Sequence, residues 1–321
     1  MKKLLLLTLC ITLLTSCNND GKITLKQSTG SWNSLLIVMN NTEWQGKPGD
    51  VLRDIIASPV LGLPQEENQF SVNQVSVKTF NSFFKVSRNI LFVGYDTANS
   101  FTISKDLYSA PQVAMTILAK DEASLIALIE KHKEEIISVF KDADIKLAQK
   151  QLRKNIWKVD SLKTLKNMGV SLNIPKDFKL VDDTGDFLWF RNHIAKGSMN
   201  IIAYELPLSG DENEVENAIV SYRDTIGKKH IPGSKEGMYM ITEVAYSPHI
   251  KKTELSGKPS FETRGKWEVK GDFMAGPFLN YTVIDKKNNR LVVFEGFTYA
   301  PSVKKRDYMF ELEAILKTLK I

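Results

Sequence analysis

The side chains that most often carry out catalysis are few in this sequence and far apart. The four histidines, His132, His193, His230 and His249, form no HExxH or HxH pair. No GxSxG motif is present, so a serine nucleophile of that type lacks its local signal. His132 falls on the apolar stripe of a predicted helix, where a packed histidine is the commoner interpretation. The pattern therefore predicts no catalytic residue and no metal site.

Two other patterns could bind ions, but both have simpler interpretations. The segment Gln45 to Asp50 is a glycine-containing loop before a predicted helix, and it lacks the Walker spacing. Asp50 is predicted to cap that helix, which would place a carboxylate where a phosphate binds. The acidic pairs Glu66-Glu67 and Asp182-Asp183 do not follow the D-x-D-x-D-G calcium pattern. We expect both pairs to be solvated on turns.

Cys17 is the one residue whose surroundings indicate a defined chemistry. Two lysines precede an apolar run of 11 residues, Leu4 to Leu14. At about 1.5 Å per residue this run cannot cross a hydrocarbon core of about 30 Å, and it has the proportions of a secretory signal peptide. The segment Leu14 to Cys17 resembles the bacterial lipobox, in which a peptidase cuts before a diacylated cysteine. We expect residues 1–16 to be a signal peptide and Cys17 to carry the lipid, the alternative being an ordinary signal peptide with an incidental cysteine.

Composition places the remaining chain among globular proteins. Hydrophobic residues make up 43% of the sequence and charged residues 25%. The net charge of +6 is small for 321 residues, and both signs are interspersed, so no concentrated basic face for nucleic acid is expected. The second cysteine, Cys10, lies within the predicted signal peptide, so the sequence predicts neither a disulfide nor a cysteine metal site.

The first half of the chain is predicted to be a tethered α/β domain. Residues 17–31 are polar and are expected to form a lipidated tether, followed by an N-terminal α/β domain over residues 32–148. The predicted strands are Ser34–Met39, Phe70–Val77, Asn89–Tyr95 and Val113–Ala119. A helix is predicted from Asp121 to Phe140, and a basic amphipathic pattern predicts a linker helix over residues 149–167.

The second half, residues 168–321, is predicted to be an α+β domain with a mainly antiparallel sheet packed with helices. Phe261 to Lys270 alternates with a period of two, which predicts a strand with one face on the core and the other open to water. Helices are predicted over Asn213–Ile226, with Gly227 as the stop, and over Val303–Leu319. Further strands are predicted at Ser171–Ile174, Phe178–Asp182, Phe187–Asn192, Met199–Leu206, Asn280–Asp285 and Leu291–Tyr299. The fold class is thus α+β, with two α/β sandwich domains.

Several segments together resemble a known family. They are the lipobox, GDVLRDII and GLPQEENQF in the first half, and FETRGKWEVKGDFMAGPF and EGFTYAP in the second. The chain resembles an uncharacterised family of envelope lipoproteins from Bacteroidetes-type bacteria, defined by domain of unknown function 4837. This resemblance covers nearly the whole chain after Cys17 and implies no activity. The second half is also similar to the Mog1/PsbP-like α/β/α sandwich, which implies a fold but no function. Surface-displayed lipoproteins of such bacteria often carry several acids after the cysteine, whereas here only Asp20 follows, which favours a periplasm-facing anchor.

The segment Gly271 to Phe278 is unusually apolar for a connection between strands. If its tip is exposed, Phe273, Met274 and Phe278 are predicted to contact a partner or ligand. If it folds back, the same residues cover the end of the sheet. On the preceding strand, Arg264 and Lys266 are predicted to face outward, where they either bind a polar ligand or are merely solvated.

These observations lead to two hypotheses about function. The first is a non-catalytic, lipid-anchored periplasmic protein of the bacterial cell envelope that binds an envelope protein or glycan, without a cofactor. The second is an envelope hydrolase acting on cell-wall or glycan material, with residues assembled from distant segments. A cleft that holds His193, His230 or His249 beside carboxylates would favour the hydrolase.

Overall fold

A computed structural model describes residues 24–321, which form two units, each built on a β-sheet. We refer to residues 24–152 as the N-terminal unit and to residues 153–321 as the C-terminal unit. Cys17 and the predicted signal peptide lie outside the described residues. None of the helices from residue 24 onward has the length and apolar character needed to cross a membrane.

The N-terminal unit contains a five-stranded sheet. Its strands are β2 Ser34–Val38, β3 Ser71–Val75, β4 Asn89–Tyr95, β5 Ser100–Lys105 and β7 Val113–Ala119, and a separate pair joins β1 Lys26–Gln27 to β6 Ser109–Ala110. The strand order is β3-β2-β4-β7-β5, parallel throughout except for β5 at the edge. The predicted bounds of β4 and β7 are confirmed. The sequence does not predict β5, because a half-exposed edge strand carries no continuous apolar run.

Helices cover one face of this sheet and leave the other to loops. The helices are α1 Asn41–Gln45, α2 Lys47–Ile56, α3 Glu122–Lys131 and α4 Lys133–Leu152. They pack on buried strand residues such as Ile37 and Ile117. On the opposite face, loop side chains including Phe80, Phe84 and Tyr108 cover part of the sheet. The unit is thus an α/β domain with one helical layer and one open face.

Two helix predictions in this unit are wrong at their ends. The helix α2 begins at Lys47 rather than after Asp50, because Pro48 suits a first helical turn. Asp50 lies inside that helix and pairs with Arg53. The helix predicted from Asp121 to Phe140 is interrupted at His132, which separates α3 from α4.

The linker helix predicted over residues 149–167 is also wrong. The helix α4 ends at Leu152, and the chain then continues through turns and a short 3-10 helix, Val159–Ser161, with the Trp157 backbone N–H donating to the Ile174 carbonyl at 2.9 Å. Trp157 and Leu162 pack in the core of the C-terminal unit. The apolar residues of this segment therefore pack in the core of the C-terminal unit, and this tertiary packing overrides the helical pattern.

The C-terminal unit contains an eight-stranded antiparallel sheet. Its strands are β8 Lys179–Asp183, β9 Phe187–Ile194, β10 Gly197–Pro207, β11 Met240–Thr242, β12 His249–Leu255, β13 Lys258–Val269, β14 Ala275–Asp285 and β15 Arg290–Tyr299. The strand order is β11-β13-β14-β15-β10-β9-β8, with β12 beside β13. The strand predicted at Ser171–Ile174 is wrong, since Ser171 makes only a single bridge to Lys320.

Helices pack on both faces of this sheet. They are α5 Lys163–Met168, α6 Glu212–His230 and α7 Arg306–Leu316. One face packs on α6 through Val215 and Ile219, and the other packs on α5 and α7 through Leu165 and Leu312. The arrangement confirms the predicted α+β class and gives this unit an α/β/α sandwich.

Gly227 does not end α6, which continues to His230. The residue is needed for close packing instead: a Cβ atom there would lie 2.3 Å from the Met240 carbonyl oxygen on β11. The predicted stop is therefore wrong, because a glycine can mark a close approach as well as a helix end.

The two acidic pairs are not simply solvated, because one member of each caps a helix. The carboxylate of Asp183 accepts hydrogen bonds from the backbone N–H groups of Lys163 and Thr164 at the start of α5. Glu67 is buried and accepts from the backbone N–H of Lys305 at 2.6 Å and of Arg306 at 3.2 Å, at the start of α7. Since Glu67 belongs to the N-terminal unit, this cap also joins the two units.

Candidate functional site

The α6 side of the C-terminal sheet is not covered along its whole length. Beyond the end of α6, a pocket of about 440 Å³ opens between the sheet and the loop that follows the helix. The strands β9, β10, β13 and β15 supply its floor, and residues 231–234 supply one wall. A concave site of this size can hold a small ligand or one or two rings of a larger one.

Aromatic side chains dominate the floor of this pocket. The Trp267 ring centroid lies 5.5 Å from that of Phe297 and 6.4 Å from that of Tyr299. Trp189 lies on the other side, on β9. Their alternation on neighbouring strands places all four rings on one face of the sheet. We call these four residues the aromatic floor.

Gly276 allows the aromatic floor to form. A Cβ atom at this position would lie 2.0 Å from the Thr298 carbonyl oxygen and 3.0 Å from the indole nitrogen of Trp267. The indole instead donates to the Thr298 carbonyl at 3.3 Å. The glycine in the sequence AGP is thus a requirement for close approach.

Arg191 is the charged group of the pocket. Its Nε donates to the Asn200 side-chain oxygen at 3.1 Å, and its guanidinium lies 4.8 Å from the centroid of the Trp189 ring. Burial lowers the pKa of Arg191, and no described carboxylate offsets this effect with an ion pair. Within residues 24–321 its two terminal nitrogens have no hydrogen-bond acceptor. A partly buried guanidinium without a counter-charge favours binding of an anion.

The Asn200 side chain positions the polar groups of the pocket through its hydrogen bonds. Its side-chain oxygen also accepts from the Trp189 indole at 3.0 Å, and its amide nitrogen donates to the Ser198 hydroxyl at 3.2 Å. The asparagine therefore holds both the arginine and the tryptophan in place. His193 and Ser198 line the same edge of the pocket. The lining contains no aspartate or glutamate, so His193 has no carboxylate beside it there.

The structure brings the predicted turn to the rim of this pocket. Phe273 is fully exposed at the tip of the β13–β14 turn, whereas Met274 lines the pocket and packs near the aromatic floor. Asp272 stabilises the tip by accepting from the Phe273 backbone N–H at 2.6 Å. Phe278, by contrast, is buried in the core, with its ring under the Arg223 guanidinium. The turn therefore offers two contact residues instead of three.

The predicted outward face of β13 is occupied by protein. Arg264 donates to Glu262 at 2.6 Å and to Glu313 on α7 at 2.8 Å. Burial alone would lower the pKa of Arg264, but the Glu313 and Glu262 carboxylates raise it. The expectation of an open, solvated face is thus wrong at Arg264, because α7 covers it. Lys266 lies with its Nζ 4.2 Å from the centroid of the Tyr246 ring, outside the pocket lining.

The remaining histidines lie in separate places. His132 stacks on Phe101 with 3.8 Å between ring centroids, and His230 stacks on Phe187 at 4.0 Å. His249 lies edge-on to Tyr246 on β12's side of the unit. Within the described part of the chain, no three His, Cys, Asp or Glu side chains come together as metal ligands.

Two family models match this chain. The model for a domain of unknown function, DUF4837, matches residues 157–318, which is half of the chain. The chain belongs to this family. A second domain of unknown function, DUF8532, matches residues 28–153. The resemblance to family 4837 is thereby confirmed for residues 157–318, which hold the pocket. The expectation that it covers nearly the whole chain after Cys17 is wrong, because the first half matches the model for DUF8532 instead. No curated protein matches the chain.

Two solved structures are similar to parts of the chain. One is LpqN, involved in cell envelope biogenesis of Mycobacterium tuberculosis, at 14% identity, covering 47% of this chain and 82% of LpqN with a TM-score of 0.32. The other is the Ran-binding protein Mog1p of Saccharomyces cerevisiae, at 9% identity, covering 47% of this chain and 89% of Mog1p, also with a TM-score of 0.32.

Sequence reasoning missed Arg191, Asn200 and Trp189 as site residues. The available signal was positional: Arg191 follows Trp189 by two residues in the predicted strand Phe187–Asn192, so it shares the inward face. A charged residue at an inward position of an apolar strand requires a partner or a ligand. The sequence could not show that the partner would be an amide and a ring instead of a carboxylate.

Proposed function

We propose that this protein is a lipid-anchored module of the bacterial cell envelope, facing the periplasm, whose C-terminal pocket binds an acidic sugar of an envelope glycan. The observation that carries the binding proposal is Arg191, a partly buried guanidinium beside Trp189 with no carboxylate partner among the described residues. The anchor rests on the sequence around Cys17.

The chemistry of the pocket selects for an anion attached to a ring. A guanidinium presents paired N–H groups that match the two oxygens of a carboxylate. Tyr299, the half-buried ring of the aromatic floor, offers an apolar surface against which a sugar ring can lie, and Ser198 and His193 offer hydrogen-bonding groups at the edge. A neutral ligand would leave the guanidinium without a counter-charge, so the acid group provides the selectivity.

The β13–β14 turn extends this binding surface. Met274 lines the pocket, and Phe273 projects from the tip where a longer glycan would pass. An exposed phenylalanine on a turn held by Asp272 is a rigid apolar contact. Phe273 and Met274 are therefore proposed to contact the part of the glycan outside the pocket.

The test compares two sugars that differ by one acid group. N-acetylmuramic acid carries a carboxylate that N-acetylglucosamine lacks, and Trp189 and Trp267 provide an intrinsic fluorescence signal. We expect quenching on titration with N-acetylmuramic acid only. Arg191→Gln should weaken that binding at least about tenfold, since hydrogen bonds to charged groups contribute about 1.5–3 kcal/mol. The exposed Arg153, outside the pocket, provides the matched control Arg153→Gln.

Equal binding of both sugars, or unchanged binding after Arg191→Gln, would contradict the assignment of the pocket. Longer glycan strands incubated with the protein provide a second readout. Release of shorter fragments, abolished by His193→Ala, would support the envelope hydrolase instead. Radioactive palmitate tests the anchor, because labelling should depend on Cys17.

A further inference from the structure

The open face of the N-terminal sheet carries exposed apolar side chains. Phe83 is 76% exposed, Val77 56% and Leu107 47%. Their chain neighbours Phe84 and Tyr108 are anchored in the cluster that covers this face, so the exposed side chains are held by packed backbone. Val77 and Leu107 also line one depression of about 610 Å³. Apolar residues grouped on a rigid surface indicate a contact site.

Two lysines accompany this apolar group. Lys78 and Lys85 lie in the same loop segment as Val77 and Phe83. The Lys85 Nζ lies 5.1 Å from the centroid of the Tyr108 ring. Neither lysine forms an ion pair within residues 24–321. The acid beside Leu107, Asp106, is engaged as an acceptor for the Gln112 backbone N–H at 2.8 Å.

The path of the chain brings the first described residues to the same place. The strand β1 pairs in parallel with β6, with Lys26 opposite Ser109 and Gln27 opposite Ala110. The Thr29 backbone N–H donates to the Val86 carbonyl at 2.7 Å, which fixes the segment against the loop that carries Phe83. Because the pairing is parallel, the residues before Lys26 run back toward Leu107.

Within the tether predicted over residues 17–31, Lys26 to Thr29 already pair with the N-terminal unit. Six residues lie between Cys17 and Thr24, where the described chain begins, so seven residue steps join them. At about 3.4 Å per residue the fully extended tether reaches about 24 Å. A lipid on Cys17 therefore keeps the edge of the sheet beside Leu107 within that distance of the bilayer.

We propose that Val77, Phe83 and Leu107, with Lys78 and Lys85, form a membrane-docking face that rests on the bilayer holding the anchor. This inference depends on the lipid anchor of the proposed function. The apolar side chains enter the headgroup region, and the lysines lie against anionic lipid phosphates. Docking by this face orients the whole chain, because the buried Glu67 cap joins the two units.

Single cysteines on the full-length lipidated protein test the proposal. Since the thiol of Cys17 is acylated in the anchored protein, Phe83→Cys or Leu107→Cys introduces one reactive thiol for an environment-sensitive fluorophore. The protein is reconstituted in vesicles of phosphatidylglycerol and phosphatidylethanolamine containing brominated lipid. Val244→Cys is the matched control, because Val244 is 87% exposed on the C-terminal unit. We expect bromine quenching at positions 83 and 107 to exceed that at 244 several-fold.

A second measurement distinguishes membrane binding by the docking face from membrane binding by the lipid anchor. The mature Cys17→Ser protein, residues 17–321 without the signal peptide and without lipid, is sedimented with the same vesicles. The pair Phe83→Ser and Leu107→Ser should reduce its binding at least about tenfold, and Val244→Ser should not. Palmitate labelling with equal quenching at all three positions would overturn the docking face while the anchor stands. Absence of palmitate labelling would overturn the anchor itself, and with it the docking face.

Discussion

Two arginines lie against the same face of the C-terminal sheet, and their surroundings differ. Arg223 belongs to α6 and is 3% exposed, and its Nε and Nη2 donate to the fully buried Glu295 on β15 at 2.9–3.1 Å. Asn280 and Thr242 complete its network. Arg191 lies beyond the end of α6 and has an amide and a ring for neighbours. Both guanidiniums lie over aromatic rings, so what distinguishes them is the carboxylate.

The carboxylate partner distinguishes an arginine that stabilises the fold from one that can bind a ligand. A buried ion pair with all its hydrogen bonds fixes the position of a helix on a sheet but offers nothing to a ligand. A guanidinium at the open end of the same face keeps its terminal nitrogens for a ligand. The end of α6 at His230 is therefore the boundary between core and site.

Breaking the structural pair should have the largest effect. Arg223→Met leaves the Glu295 carboxylate buried without its counter-charge, and we expect a loss of about 3–5 kcal/mol in the free energy of unfolding. Denaturant unfolding followed by circular dichroism measures it. The double variant Arg223→Met with Glu295→Met should recover most of the loss, because two apolar side chains need no partner. A loss below about 1 kcal/mol in the single variant would show that the pair is not structural.

Substituting Gly227, which packs on β11 near the end of α6, should have an intermediate effect on stability. Gly227→Ala would normally favour the helix by about 0.5–1 kcal/mol, but its Cβ would lie 2.3 Å from a carbonyl oxygen of β11. Because a backbone atom must move, we expect a net destabilisation of about 1–3 kcal/mol. The exposed helical Ser221→Ala is the control and should not destabilise. Equal thermal midpoints for both variants would contradict the close packing of α6 on β11.

The charged cluster around Asp285 predicts that the stability of the protein depends on pH. Burial by itself raises the pKa of Asp285, but hydrogen bonds from Asn288, Lys258 and Arg290 lower it from 3.8 to about 2. A lowered pKa means that the stabilisation is present above pH 4 and is lost as the pH falls from about 4 to 2. Asp285→Asn should remove about 1–2 kcal/mol at pH 7 and flatten this acid transition. Unfolding curves at pH 7, 4 and 2.5 provide the check, and parallel losses in both proteins would refute the assignment.

Substitution of Arg191 should change the free energy of unfolding much less than substitution of Arg223. Arg191→Met removes a partly desolvated charge without orphaning a carboxylate, so we expect its free energy of unfolding to change by less than about 1 kcal/mol. Binding of N-acetylmuramic acid should nevertheless be lost. The two measurements together sharpen the comparison, because a destabilisation as large as that of Arg223→Met would make Arg191 structural as well.

Much of the fold follows from local patterns. The continuous apolar runs of β4 and β7 and the alternation in β13 indicate strands because burial on two faces or one imposes those periods. The predictions that are wrong lie where long-range contacts decide the structure. Residues 153–162 have the apolar spacing of an α-helix but form turns and a short 3-10 helix against the C-terminal unit, and Gly227 marks a close approach.

The sequence by itself determined the two-unit α+β organisation, the amphipathic strands and helices, and the chemical setting of Cys17, because these depend on the order of neighbouring residues. Only the tertiary structure decided which charges are paired. Arg264 meets Glu313, 49 residues later, and Arg223 meets Glu295, 72 residues later, whereas Arg191 meets no carboxylate among the described residues. A site made by the absence of a counter-charge depends on distances between remote residues, and the order of the residues does not contain those distances.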